Sequence, residues 1–135
     1  MKARFTFFCI LLSLLIATLL PSFAAEIPGK AGHWHGFERR DFLHEGLKCI
    51  VVLPKSEAKG RPWVWRARFF GHQPQADIAL LKLGFHVCYC EVGGLFGNTE
   101  AVQRWNRFHA LLAGEHGFSS KPALEGMSRG GLIIY

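Results

Sequence analysis

The chain has 135 residues, half of them apolar and 19% charged, which is the composition of one globular domain rather than of a disordered segment. Its formal net charge is +6, but the 16 Lys and Arg residues are spread along the chain and form no basic stripe, so we expect no nucleic-acid binding. Neither the ligand spacing of a zinc site nor the Gly-x-Gly-x-x-Gly spacing of a dinucleotide site is present, so we predict no metal and no cofactor.

The first 24 residues have the pattern of a secretory signal peptide. Lys2 and Arg4 provide a basic start, an apolar run follows over 5–20, and small residues lead to a cleavage position after Ala24. The apolar run is short for a membrane span of about 20 residues, so we expect cleavage and no stable membrane anchor afterwards. The mature protein is therefore predicted to be secreted or periplasmic.

Residues 25–36 contain proline and glycine and are predicted to form an N-terminal linker. His33 and His35 near its end could share one face of a short strand. Because no third metal ligand is in view, we interpret them as an exposed pair on an edge strand.

The remaining residues, 37–135, alternate between strand and helix patterns after an initial hairpin of two strands. One helix has Leu83 on its predicted apolar face, and the next has Trp105 and Phe108. This alternation predicts the α/β class, with right-handed crossovers onto a mostly parallel sheet and an antiparallel hairpin at the front. The predicted strands are 37–43, 47–53, 63–70, 85–92 and 122–125, and the predicted helices are around 76–83, around 101–112 and from about 129.

Three cysteines follow the signal peptide, Cys49, Cys88 and Cys90, an odd number for a compartment in which disulfides form. Cys88 and Cys90 are two residues apart in a predicted strand and share one of its faces. That spacing suits small buried side chains better than a bridge between the two. The spacing leaves the state of all three cysteines open.

The stretch LEGMSRGGL near the C-terminus contains Gly-x-Ser-x-Gly between a predicted strand and a predicted helix start. A sharp turn of this kind exposes a serine oxygen above a sheet, and Gly126 and Gly130 remove side chains that would collide there. We therefore predict that Ser128 is a catalytic nucleophile and that the Arg129 backbone N–H is an oxyanion-hole donor. The alternative is a glycine-rich turn that only packs a helix close to a strand.

A second oxyanion donor is expected from the loop that follows the third predicted strand. Arg68 and Phe69 are the candidates for that donor. His72 lies in the same loop, where we expect it to shape the loop or to contact substrate rather than to act as the base.

The serine turn, the order of elements and the Trp/Arg-rich segment RPWVWRARFFGH together resemble the secreted bacterial branch of the α/β-hydrolase superfamily, which is esterase-like and lipase-like. The resemblance implies an α/β-hydrolase-type, mostly parallel sheet with an antiparallel N-terminal hairpin, truncated after the nucleophile elbow. It also implies hydrolysis of a small-molecule or polymer ester through an acyl-Ser128 intermediate. In that family an acid and a histidine follow the serine, and the residues after Ser128 contain neither. We therefore expect 37–135 to be a partial domain, the N-terminal fragment of an exported serine hydrolase, with little turnover of its own.

Two other functions fit the same residues. A non-catalytic secreted binding module would use exposed aromatics such as Trp34, Trp63 and Trp65, rimmed by Arg66 and Arg68. An acyltransferase would pass the acyl group from Ser128 to an acceptor other than water.

Overall fold

The computed structural model describes residues 25–135, and the predicted signal peptide, 1–24, lies outside the described residues. Within 25–135 there are six strands and three short α-helices. None of these helices is long and apolar enough to cross a membrane. The strands are β1 (Lys30–Trp34), β2 (Phe37–His44), β3 (Leu47–Leu53), β4 (Trp63–Arg66), β5 (His86–Cys90) and β6 (Ala123–Glu125). The helices are α1 (Gln75–Lys82), α2 (Thr99–Ala110), which continues into a π turn at Leu111–Glu115, and α3 (Gly131–Ile134), which follows a 3-10 turn at Ser128–Gly130.

The six strands form one mixed sheet in the order β1-β2-β3-β5-β4-β6. Three of its five strand pairs are antiparallel, namely β1 with β2, β2 with β3 and β3 with β5. Only β4 pairs in parallel, with β5 on one side and β6 on the other. The predicted fold class, an α/β-hydrolase-type mostly parallel sheet, is therefore wrong, because antiparallel pairs predominate and no α/β-hydrolase fold is shown.

The antiparallel part of the sheet follows from two very short connections. His35 and Gly36 join β1 to β2, and Glu45 and Gly46 join β2 to β3. All four residues have positive φ, at 49°, 81°, 50° and 76°, as in the type I′ turns that match the twist of a hairpin. Two-residue connections join only antiparallel neighbours, so 30–53 forms a three-stranded meander. Strand β1 thus lies within the stretch predicted to be linker.

Both faces of the central strands β3, β4 and β5 are buried. On one face Trp65 of β4 stacks on Trp105 of α2 with ring centroids 4.0 Å apart, and Phe108 packs beside them. On the other face Val64 and its neighbours pack against Leu81 of α1. Because successive strand residues point to opposite faces, β4 contributes to both cores.

Helix α1 does not bury the face that its sequence predicted. Leu83, just beyond the helix, is 70% exposed, whereas Asp77 and Leu81 are fully buried. Asp77 turns inward because Arg66 in β4 lies opposite it, 3.3 Å from the carboxylate to the guanidinium. A buried ion pair, which hydrophobic periodicity does not register, thus sets the orientation of this helix.

Candidate functional site

Ser128 lies in the tight turn that joins β6 to α3. It is exposed to solvent and has φ of +51°, a left-handed conformation that is uncommon for a residue other than glycine. The Gly130 N–H donates to the Met127 carbonyl at 2.8 Å and closes the turn around the serine. Strained backbone of this kind is often found at functional sites. The turn thus holds the serine in a left-handed conformation, which Arg61, Gln73 and Phe96 also adopt in other loops of the chain.

The two glycines of the turn are required by close packing. A Cβ atom at Gly126 would lie 2.6 Å from the Ile134 Cδ1 atom and 2.9 Å from the Gly131 Cα atom. A Cβ atom at Gly130 would lie 3.2 Å from the Cβ atom of Arg68 and 3.4 Å from its backbone nitrogen. Gly126 therefore lets β6 approach α3, and Gly130 lets the loop after β4 approach the serine turn.

An aromatic cavity lies beside Ser128. Its volume is about 470 Å³, and its walls are Phe69, Phe70, His72, Met127 and Ser128. Small-molecule sites commonly have volumes of roughly 300–1,000 Å³ and combine apolar walls with a few polar groups. The serine hydroxyl and the His72 imidazole are the ionisable or nucleophilic side chains on these walls.

Of the candidate oxyanion donors, Phe69 lines this cavity, whereas Arg68 and Arg129 line a small separate pocket. Phe69 has φ of +53°, so the cavity wall contains a second left-handed residue besides Ser128. The backbone of Arg68 packs against Gly130. The Arg129 guanidinium lies over two aromatic rings, 6.0 Å from the centroid of Phe69 and 5.9 Å from that of Phe96. The structure thus brings together Ser128, Arg129, Arg68 and Phe69, the four residues that the sequence selected.

Arg66 connects the walls of this cavity, and the sequence did not reveal that role. It is 1% exposed, and its guanidinium bonds Asp77 in α1 and Glu125, the last residue of β6. Its Nη2 atom also donates to the His72 carbonyl at 2.6 Å, and its Nε atom to the Arg68 carbonyl at 3.3 Å. One side chain therefore fixes the loop that carries Phe69 and the strand that leads into the serine turn.

A protonation equilibrium accompanies this cluster. Burial raises the pKa of Asp77 to about 7, and the hydrogen bond and negative charge of Glu125 act in the same direction. The Arg66 guanidinium opposes the shift but does not cancel it. Because Asp77 and Glu125 share the single positive charge of Arg66, the carboxyl pair retains a proton near neutral pH.

The described residues bring no complete triad to Ser128. His72 is the histidine on the walls of the cavity, and no carboxylate lines those walls. Asp77 and Glu125 are bonded to Arg66 instead. In 25–135 no group of three His, Cys, Asp or Glu residues could hold a metal ion.

The tryptophans proposed for a binding module lie mostly in the core. Trp63 is 0% exposed and Trp65 is 4% exposed, and the Trp63 indole N–H donates to the Ser119 carbonyl at 2.8 Å. Trp34 is partly buried against Phe70. Trp63 and Trp65 therefore offer no surface to a polymer or a partner.

Comparison of the chain with protein-family models, with curated proteins and with solved structures found no match.

Proposed function

We propose that Ser128 is the nucleophile of a serine hydrolase that cleaves ester-type carbonyl substrates through an acyl-serine intermediate. The observation that carries the proposal is the left-handed Ser128 at a glycine-flanked strand-to-helix turn, at the wall of an aromatic cavity. We base the proposal on this site and not on the fold, because one chemistry recurs on unrelated folds.

The cavity supports a substrate with an apolar group next to its carbonyl. Phe69, Phe70 and Met127 provide apolar walls, and burial of an apolar group there is favourable by roughly 25 cal/mol per Å² removed from water. A small ester, or the ester end of a polymer, matches these walls. The predicted signal peptide would deliver the protein to such substrates outside the cytoplasm.

In the proposed reaction the Ser128 hydroxyl oxygen attacks the substrate carbonyl carbon and forms a tetrahedral oxyanion. The Arg129 backbone N–H and an N–H of Arg68 or Phe69 would donate to that oxyanion, and each such donor contributes on the order of 3 kcal/mol in known hydrolases. Collapse of the intermediate expels the alcohol and leaves acyl-Ser128, which water then hydrolyses. A general base must reach the serine hydroxyl in both steps.

His72 is the base to test first, because it shares the cavity with Ser128. Its backbone carbonyl is held by Arg66, so the loop position is fixed while the imidazole can turn. If His72 is not the base, the acylation of Ser128 will not depend on it.

A fluorophosphonate probe tests the nucleophile directly, because it phosphonylates activated serines irreversibly. We expect the adduct to map to Ser128 at a rate at least tenfold above that of Ser56 and Ser120, which are also exposed and have ordinary backbone conformations. These two serines are internal controls for unactivated hydroxyls. Labelling of Ser128 no faster than of the control serines would refute the proposed function.

A further inference from the structure

Two cysteines face each other across the centre of the sheet. Cys49 in β3 and Cys90 in β5 are direct partners in the antiparallel register. Both are buried, at 1% and 0% exposure. Cys88 is two residues away in β5 and is paired with Val51 instead. The register therefore singles out one pair from the three cysteines in the described part of the chain.

The position of Cys49 and Cys90 in the hydrogen-bond ladder between β3 and β5 suits a disulfide bond. The Glu91 N–H donates to the Lys48 carbonyl at 2.9 Å, so these two residues form a hydrogen-bonded pair of the ladder. Hydrogen-bonded and non-hydrogen-bonded pairs alternate, which makes Cys49 and Cys90 a non-hydrogen-bonded pair. In such pairs the Cα atoms lie about 4.5 Å apart, inside the range of roughly 4.4–6.8 Å that disulfides occupy.

The two thiols are close enough to affect each other's titration. Cys90 raises the pKa of Cys49, and Cys49 lowers the pKa of Cys90. Arg104 and Arg107 of α2 lower the pKa of Cys90 further, whereas burial and Glu91 oppose the shift. These shifts belong to the packed sheet, in which the two thiols are neighbours.

We propose that Cys49 and Cys90 form a disulfide that links β3 to β5, and that Cys88 stays a free thiol. The oxidant is an external disulfide, such as that of a dithiol oxidase or of oxidised glutathione. One of the two cysteine thiolates attacks the external disulfide and releases one thiol, after which the other cysteine thiolate attacks the cysteine sulfur of the mixed disulfide and releases the second. The external disulfide takes up the two electrons, and the two cysteine protons end on the two released thiols.

The burial of both sulfurs determines when the bond forms. An external disulfide cannot reach two side chains that are 1% and 0% exposed, so the exchange takes place before the two strands and α2 have packed together. Once the sheet is formed, the same burial excludes reductants. The inference is independent of Ser128, and it agrees with the predicted export, since disulfides persist in oxidising compartments.

The test is refolding of the full chain in a mixture of oxidised and reduced glutathione, followed by alkylation under denaturing conditions and peptide mapping. We expect a mass decrease of about 2 Da before alkylation, one linked peptide containing Cys49 and Cys90, and alkylation at Cys88 and Cys9. Refolding of a Cys88→Ala variant should give the same linked peptide. A parallel sample oxidised in concentrated urea should give a mixture of linkages, which shows that the fold selects the pair.

Two results would overturn the inference. One is alkylation of both Cys49 and Cys90 in the refolded chain at every glutathione ratio. The other is a predominant linkage that includes Cys88 or Cys9. The mapping is done on the unsubstituted chain, so neither result depends on whether a variant folds.

Discussion

Substitution of Gly126 by alanine should disturb both the stability of the protein and the reactivity of Ser128. The added Cβ atom would lie 2.6 Å from the end of the Ile134 side chain, 2.9 Å from the Gly131 Cα atom and 3.0 Å from the Gly130 carbonyl oxygen. The isoleucine can rotate away, but the two backbone atoms can move only if α3 shifts away from β6. Gly126 itself has no positive φ, so the cost arises from overpacking and not from backbone strain.

Overpacking of this kind typically costs about 1–3 kcal/mol. For a domain of this size, each kcal/mol lowers the melting temperature by roughly 4 °C, so we expect a decrease of about 4–12 °C. The serine turn moves together with α3, so labelling of Ser128 by the fluorophosphonate should fall at least tenfold even at temperatures where the variant is folded.

Gly131→Ala is the matched control. It adds the same methyl group five residues away, where the nearest atom is the Cε2 atom of Tyr135 at 3.8 Å, an ordinary contact. Because alanine favours a helix over glycine by up to about 1 kcal/mol, we expect this variant to be as stable as the parent or slightly more stable. Equal melting temperatures and equal Ser128 labelling in the two variants would show that the contact between β6 and α3 does not hold the serine turn.

Three further predictions concern the residues around the cavity. Arg66→Met leaves Asp77 buried without its cation and should lower the free energy of unfolding in urea at neutral pH by about 3–5 kcal/mol. Arg129→Met, at an exposed position, should lower it by under about 1 kcal/mol. Similar losses of stability in the two variants would contradict a buried cluster. The pKa of Asp77 is about 7 in the folded protein, against an ordinary value of 3.8. Between these two pH values the folded state binds more protons than the unfolded state, so the free energy of unfolding should fall as the pH rises from about 4 to about 7. Asp77→Asn should remove that slope, and parallel stability curves for variant and parent would rule out this assignment. If His72 is the base, His72→Ala should lower the rate of Ser128 labelling by roughly 10²–10⁴-fold, whereas an unchanged rate would eliminate His72 as the base.

Local sequence signals were sufficient for several elements. The β-branched run of β3 and the glycine at 46 predicted the second hairpin, which the structure contains. Asn98 precedes α2, and its side chain accepts a hydrogen bond from the Ala101 N–H at 3.0 Å, as asparagine commonly does at a helix N-cap. Trp105 and Phe108 are buried, as their helical spacing predicted. These features depend on residues that are close in the chain.

The features that were missed depend on contacts between distant segments. The direction in which β5 pairs with β3 is set by how the connections cross the sheet, and no property of either strand alone reports it. The inward position of Asp77 requires Arg66, which belongs to another element. Arg66 at the end of the apolar strand WVWR could have indicated a buried ion pair, because a buried cation requires an anionic partner. The partner itself was not identifiable from spacing.

The short strand β6 determines when the site can exist. Phe69 and Ser128 both line the cavity but belong to segments about 60 residues apart. Strand β6 brings them together by pairing with β4, through the Ala67 N–H bond to the Glu125 carbonyl at 2.9 Å and through the Arg66 bond to the Glu125 carboxylate. During synthesis, every earlier strand of the sheet can pair before β6 has been made. A nascent chain in which β6 has not yet been made therefore carries no assembled serine site, and the proposed acylating activity would be withheld until β6 has docked on the edge of the sheet.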